Sequence, residues 1–381
     1  TNIVAAEPAE LRLWSYSGGI YDNTWTLGGV HHNSLAMGIL DGSGRRVVVG
    51  SAACSVGKGK TISYEIFINA YKDGEVGVWK TTYYDPLTNN VSETNAFAGE
   101  AALADLDGDT YDEVILRTEH HLAIFKYDTT SLTFSKAEDI TVDPAPGHST
   151  RLVSMGLVKG NGSPTLFVGY NLRGEYTGGL LKYAMNSSKP YFPDPTPYVR
   201  ADAYLWDRSF AIGDLNGDEQ LELCATGYNN SSGVNNQYLF IWDGVNELTT
   251  FTLADKTNYI ALVSVGNLYS DIPGDEMVLI TVPNQYLFTV LSWTKDTAGW
   301  HRTPLAQKSL DYCRVGVSRV YIADADNDSV KEIIAVGTGY ATCSRGGGSL
   351  YLEVFDNNLN SKWHIIGGPQ GATWISGAAI G

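Results

Sequence analysis

Three nine-residue acidic segments constrain what this chain can fold into. They are Asp105–Glu113 (DLDGDTYDE), Asp214–Glu222 (DLNGDEQLE) and Asp324–Glu332 (DADNDSVKE). Each carries oxygen-bearing side chains at its first, third, fifth and ninth positions. Each follows a short run of small apolar residues and precedes a second apolar run. An acidic turn between two short strands, repeated at long intervals, indicates a repeat architecture. Aligning on the small residue before each turn adds weaker copies. The anchors Gly38, Ala104, Gly156, Gly213, Gly266, Ala323 and Gly381 stand 52 to 66 residues apart. Each interval reads as apolar strand, turn, apolar strand, loop, aromatic-rich strand and outer strand, with no helical period. That pattern predicts an all-β chain of four-stranded antiparallel propeller blades.

The two ends complete the count. Ala372–Gly381 reads as an innermost strand with nothing after it. Asn2–Ala6, Leu11–Tyr16 and Trp25–Leu27 supply a second, third and fourth strand at the other end. The expectation is therefore one domain over residues 1–381, a seven-bladed β-propeller closed by N- and C-terminal strands sharing one blade. The three intact acidic loops resemble the FG-GAP, or integrin-alpha-type, propeller repeat. That resemblance implies a fold and no chemistry.

Bulk properties narrow the partners. The formal net charge of −16 argues against nucleic acid, which needs a basic face. No apolar run approaches the ~20 residues of a membrane helix. N-x-Ser sequons at Asn90, Asn186, Asn229, Asn230 and Asn327, a low charged fraction and many Tyr, Trp and Gly residues fit a secreted glycoprotein that handles carbohydrate as a monomer.

The acidic loops also sort the remaining loops by face. Strand direction alternates within a blade, so every loop between strands one and two lies on one face, here called lower. The upper face receives the segments that enter each innermost strand and the loops between second and third strands, among them Tyr170–Tyr176 with Arg173, and Tyr228-Asn229. His31, His32, His120, His121 and His148 fall there, with Arg151, Arg208 and Arg319 and the aromatics Tyr204, Trp206, Tyr259 and Trp374. A His/Arg/aromatic mouth on an acidic body is a local inversion of charge, and converging loops are where propeller ligands bind. His31, His32, His120, His121, His148, Arg151 and Arg208 are the candidate catalytic residues. Tyr204, Trp206, Tyr259, Arg319 and Trp374 are the candidate substrate contacts.

The acidic loops themselves are candidates for structural Ca²⁺. Hard oxygens at alternate positions suit that ion: Asp105, Asp107, Asp109 and Glu113; Asp214, Asn216, Asp218 and Glu222; Asp324, Asp326, Asp328 and Glu332. The same spacing also makes an Asx-type turn that needs no metal. Of the four cysteines, Cys313 and Cys343 lie on the upper face of one blade and are the expected disulfide. Cys224 lies within a strand as a buried thiol, and Cys54 is left open.

Two function classes fit such a mouth. An enzyme cleaving a uronate glycan by β-elimination needs a cation for the carboxylate, a base for the α-proton and an acid for the leaving oxygen. A lectin needs only aromatic platforms and polar anchors, repeated from blade to blade. The upper-face residues differ in every blade, which favours one asymmetric catalytic site. The segment Gly29–Ala36, with Asp41-Gly42 and Val47–Gly50 after it, also resembles the first blade of secreted carbohydrate-active propellers such as the L-rhamnose-α-1,4-D-glucuronate lyases. The resemblance implies a lyase acting on rhamnosyl-glucuronate of gum-arabic-type glycans without a catalytic metal. His31 or His32 would serve as its base or acid.

Overall fold

The computed structural model describes residues 2–6, 10–17, 20–28, 34–40, 46–55, 62–72, 75–84, 100–131, 133–159, 163–229, 236–255, 262–281, 286–310, 315–340, 348–372 and 377–380. They form antiparallel sheets of four strands each. The first sheet comprises Ser34–Ile39, Arg46–Ser55, Ile62–Lys72 and Glu75–Tyr84. The second comprises Glu100–Ala104, Glu113–Arg117, His121–Asp128 and Thr133–Thr141. The third comprises Thr150–Val158, Thr165–Leu172, Thr177–Ala184 and the short Thr196–Pro197. The fourth comprises Tyr204–Gly213, Glu222–Asn229, Asn236–Trp242 and Leu248–Asp255. The fifth comprises Leu262–Gly266, Glu276–Thr281, Tyr286–Asp296 and Gly299–Leu310. The sixth comprises Val315–Ala323, Glu332–Tyr340, Gly348–Phe355 and Ser361–Ala372. A closing sheet joins Gly377–Ile380 to Asn2–Ala6, Glu10–Ser17 and Ile20–Gly28. Innermost strands touch in succession, and Gly377–Ile380 touches Ser34–Ile39. The side chains described lie mostly in the second to sixth sheets.

The strand pattern follows from burial on both faces of each sheet. Glu113–Arg117 is buried at every position, as a central strand between two neighbours must be. Apolar clusters fill the spaces between adjacent sheets. Ile115, Leu122 and Ile124 of the second sheet pack with Leu152, Leu166 and Val168 of the third. Leu239 and Ile241 of the fourth pack with Met277 and Leu279 of the fifth.

The small anchor residues have a steric cause. A Cβ built on Gly213 would lie 2.3 Å from Val265 and 2.6 Å from Asp275, both in the next repeat. One on Gly38 would lie 2.3 Å from Asp112. The neighbouring inner strand and its turn therefore press directly onto these backbones. Asp112 accepts from Ile39 N–H at 2.7 Å, and Asp275 accepts from Asp214 N–H at 3.1 Å, so each pins one sheet to the previous one.

The closing strand differs from its sequence expectation. Ala372 belongs to the outer strand of the sixth sheet, and the innermost strand is the shorter Gly377–Ile380. The glycine-rich end of that outer strand breaks register, passing from Gly367 opposite Leu350 to Ala372 opposite Gly348. A glycine-rich stretch with such a break carries no apolar alternation to read. Among the described residues no helix is long and apolar enough to cross a membrane.

Gly213→Ala should destabilise the fold by about 1–3 kcal/mol, because the added methyl has no room and overpacking strains its surroundings. Urea unfolding followed by tryptophan fluorescence would measure this; an unchanged midpoint would contradict the close approach.

Candidate functional site

The acidic loops are alike in backbone. The first aspartate of each accepts the N–H of the sixth residue: Thr110 to Asp105 at 2.9 Å, Glu219 to Asp214 at 2.9 Å, and Ser329 to Asp324 at 3.1 Å. This holds the sixth residues at φ 76°, 68° and 71°, in the left-handed region that non-glycine residues seldom adopt. The fourth residues are also left-handed, and there Asn327 replaces the glycine of Gly108 and Gly217. The ninth residue is a buried glutamate that reaches back into the loop. Glu113 accepts from Leu106 N–H, Glu222 from Leu215 N–H and Glu332 from Ala325 N–H, at 2.8, 2.7 and 2.8 Å.

The fifth repeat keeps this clasp although its loop sequence is degraded. Glu276 accepts from Leu268 N–H at 2.8 Å and Tyr269 N–H at 3.1 Å. Burial raises the carboxyl groups of all four glutamates above their ordinary range, against the lowering effect of those N–H bonds. Burial pushes Glu222 up to about 7, with the nearby Asp243, Asp218 and Asp214 acting in the same sense.

On the upper face, the described candidates separate into three groups. His121 is buried, and its Nδ1 lies 3.1 Å from Asp139 on the outermost strand of its own sheet. His120 is half-buried beside it, and its N–H donates to Thr118 Oγ1. This pair stands in the corner of the second sheet.

The second group lies where the third and fourth sheets meet. His148 Nδ1 is 2.7 Å from Glu175, and both are exposed. Arg173 is half-buried and joined to the same segment by its N–H to Ser149 O at 2.9 Å. Burial pulls its guanidinium below its ordinary value, while Tyr204 acts in the opposite sense. Tyr204 Oη accepts from Gly174 N–H at 2.9 Å. Its ring lies 5.0 Å from Tyr176 and 5.8 Å from Tyr228, and Trp206 stacks on Tyr228 at 4.5 Å. Beneath the belt the buried Asn171 amide exchanges two bonds with the Leu205 backbone, at 2.8 and 2.9 Å. That amide fixes one sheet against the other. Sequence reading places His148, Arg173, Tyr204 and Trp206 on this face, together with the loops Tyr170–Tyr176 and Tyr228-Asn229, but does not single out Glu175, Tyr176 or Tyr228 as site members. Strand direction puts them on one face, and only packing brings them within reach of one another.

The third group lines the central channel. A cavity of about 270 Å³ lies among innermost strands, with Ser34, Glu100, Phe210, Ser264, Arg319 and Tyr321 in its wall. Glu100 Oε2 meets Arg117 Nε at 3.3 Å and the Met155 N–H at 2.9 Å. Its other oxygen faces Arg319 Nη2 at 3.7 Å. Arg117 is fully buried and also donates to Leu152 O at 2.7 Å. Sequence reading singled out Arg319 but neither Glu100 nor Arg117. Arg151 meets Glu119 at 3.2 Å. Cys224 is a buried free thiol, as its strand position implied. His31, His32, Tyr259, Trp374, Cys313 and Cys343 lie outside the described residues. Arg208 and Cys54 lie on described strands, but their side chains do not.

Two outcomes check this geometry. Glu100→Ala removes the carboxylate facing a buried guanidinium, and should cost about 3 kcal/mol in unfolding free energy measured with urea. Glu276 holds its proton to higher pH in the folded chain than in the unfolded one. Its contribution to stability is therefore present below about pH 4.5 and is lost as pH rises through the folded value. Glu276→Gln should gain in melting temperature over the parent as pH rises from about 5 to about 8; a difference independent of pH would contradict the raised carboxyl.

No protein-family model matches the chain, the integrin-alpha-type repeat included, and no curated protein matches it. Solved structures do. A protein from Lactobacillus plantarum superposes with a TM-score of 0.54 at 10% identity, over 99% of this chain and 98% of that one. The periplasmic gluconolactonase PpgL of Pseudomonas aeruginosa gives 0.51 at 12% identity over 98% of both. The Dos1 propeller gives 0.50 at 14% identity, over 97% of this chain and 84% of that one. At such identities the likeness is one of fold, and with the sheets described above it makes this chain an all-β propeller of four-stranded antiparallel blades.

Proposed function

We propose that this propeller is a secreted carbohydrate-active protein that closes as a ring of seven blades. It takes a uronate-containing glycan on its upper face and cleaves it by β-elimination. The observation that carries the reading is the rim between the third and fourth sheets. A histidine–carboxylate pair, an arginine and a tyrosine hydroxyl gather there beside an aromatic belt. These are the groups the reaction needs, at one place and in no repeated pattern.

The roles follow from the hydrogen bonds. Glu175 holds Nδ1 of His148, which fixes the ring and leaves Nε2 to take the proton α to the uronate carboxylate. Arg173 neutralises that carboxylate, and its partial burial strengthens the pairing. Tyr204 Oη already accepts the Gly174 N–H, so its own proton is available to the leaving glycosidic oxygen. Trp206 and Tyr228 offer faces for sugar rings. The terminal rhamnosyl-glucuronate of gum-arabic-type arabinogalactan is the first substrate to try.

The aromatic belt also favours a second reading, a lectin that binds the same glycan without cleaving it. Incubation with gum arabic decides between them. The lyase produces an unsaturated uronate with new ultraviolet absorbance, and the lectin binds without it. In the lyase, His148→Ala and Tyr204→Phe should each lower the rate by about 10²–10⁴-fold, and Arg173→Ala should lower it while weakening uronate binding. Several equivalent binding sites by calorimetry would overturn the single-site reading.

A further inference from the structure

The rim is split between two sheets. His148, Arg173, Glu175 and Tyr176 come with the third, and Tyr204, Trp206 and Tyr228 with the fourth. β-Elimination on this rim would use His148 and Arg173 from one half and Tyr204 from the other, so it needs the halves in register. The fourth sheet does not supply that register by itself. Its inner strand pairs Tyr204 with Tyr228 and Leu205 with Gly227, and pairing resumes only at Phe210 with Ala225. Trp206, Asp207, Arg208 and Ser209 therefore stand opposite Thr226 alone, in a bulge outside the regular ladder. A bulge re-aims the side chains it carries, so what holds its ends decides where they point. At the far end Ser209 bonds to Thr226 through their hydroxyls.

The near end is held from the third sheet. Asn171 lies on the second strand of that sheet and is buried. Its amide meets Leu205 as a main-chain partner would: Oδ1 accepts the Leu205 N–H, and Nδ2 donates to the Leu205 carbonyl. Gly178, opposite Asn171 on the next strand, clears the path. A Cβ there would lie 2.7 Å from Leu205 Cγ, 2.8 Å from Ala203 O and 3.0 Å from Asn171 Oδ1. The same glycine exchanges main-chain bonds with Ala201 at 3.0 and 2.9 Å. The chain entering the fourth sheet is thus stitched to the third. Tyr204 lies within the stitched stretch, its Oη on the Gly174 N–H and its ring beside Tyr176.

On the reading of this rim as the glycan site, we propose that Asn171 is its positioning residue. Without touching the ligand, it sets Tyr204 and Trp206 of one half against His148 and Arg173 of the other. The Leu205 backbone is the lever. Both of its polar groups are held by one amide, and the Tyr204 and Trp206 side chains leave the chain on either side of it. Loss of the clamp displaces the acid and the sugar platform together. The base and the carboxylate-binding arginine belong to the third sheet and keep their places. A glycan bound here spans the seam between the two sheets, and its fit depends on a side chain buried beneath it.

Asn171→Asp and Asn171→Leu test this, with 3-fluorotyrosine placed at position 204 and, as a control in the sixth sheet, at position 351. The ionised carboxylate of Asn171→Asp cannot donate to the Leu205 carbonyl. On acidification it takes a proton and can make both bonds again. The fluorine resonance at position 204 should move in both variants while that at 351 stays. It should return towards the parent's as pH falls in Asn171→Asp, and remain displaced in Asn171→Leu. With gum arabic, Asn171→Leu should lower kcat by about 10²-fold, more than it raises KM. Arg173→Ala should show the reverse balance. A parent that neither cleaves nor binds gum arabic would overturn the glycan reading alone, since the fluorine shifts report the clamp without substrate. An unmoved resonance at position 204 in both folded variants would overturn the positioning role. So would a lower urea midpoint accompanied by an unchanged kcat.

Discussion

A buried carboxylate that takes hydrogen bonds from the loop preceding it underlies this architecture. Each glutamate at the start of a second strand turns back and accepts a main-chain N–H from the turn it has just left. Burying a carboxylate is costly, so the arrangement persists only where specific donors meet it. The clasp fixes the tight turn between the first two strands and thereby the register of the innermost strand. That strand lines the channel and sets the loops on the far face. In the sheets that carry the clasp, a residue on the lower face thus bears on where upper-face residues such as His121 and Tyr204 stand.

The fold was legible for a reason tied to this clasp. A turn that must provide a first aspartate, a left-handed fourth residue and a ninth glutamate leaves a long, rigid sequence signature. Its cross-sheet pins, Asp112 and Asp275, leave another in the glycines opposite them. The fifth repeat shows the limit. Glu276 and its bonds survive while the loop sequence has drifted, so the local pattern fades before the structure does. The end of the outer strand at Ala372 is hidden for a related cause, because a glycine-rich stretch that breaks register leaves no alternation of side chains.

The candidate site was less legible, since its members come from different turns and meet only through packing. His148 and Tyr204 could be placed on the correct rim from strand direction alone. Strand direction puts the loops of Glu175 and Tyr228 on that face too, but nothing local pairs a turn of the third sheet with a given residue of the fourth. Asn171, whose amide joins those sheets through Leu205, is an ordinary strand residue in the sequence. Glu100 was passed over for the opposite reason. A single acid before an apolar strand looks like a solvated strand end, and only the closed arrangement of inner strands shows that it meets Arg117 and Arg319.

The pair formed by Arg319 and Glu100 also has a mechanical side. Sheets that touch only their neighbours can deform together, as an iris does, without breaking any one contact. Glu100 and Arg319 sit on inner strands that are not neighbours, and their attraction acts across the bore like a strut. A strut of this kind resists flattening of the circle into an oval. The inner strand of the third sheet, which begins just after His148 of the rim, reaches the same Glu100 carboxylate through the Met155 N–H. The shape of a pocket on the rim is therefore tied to the stiffness of the bore beneath it.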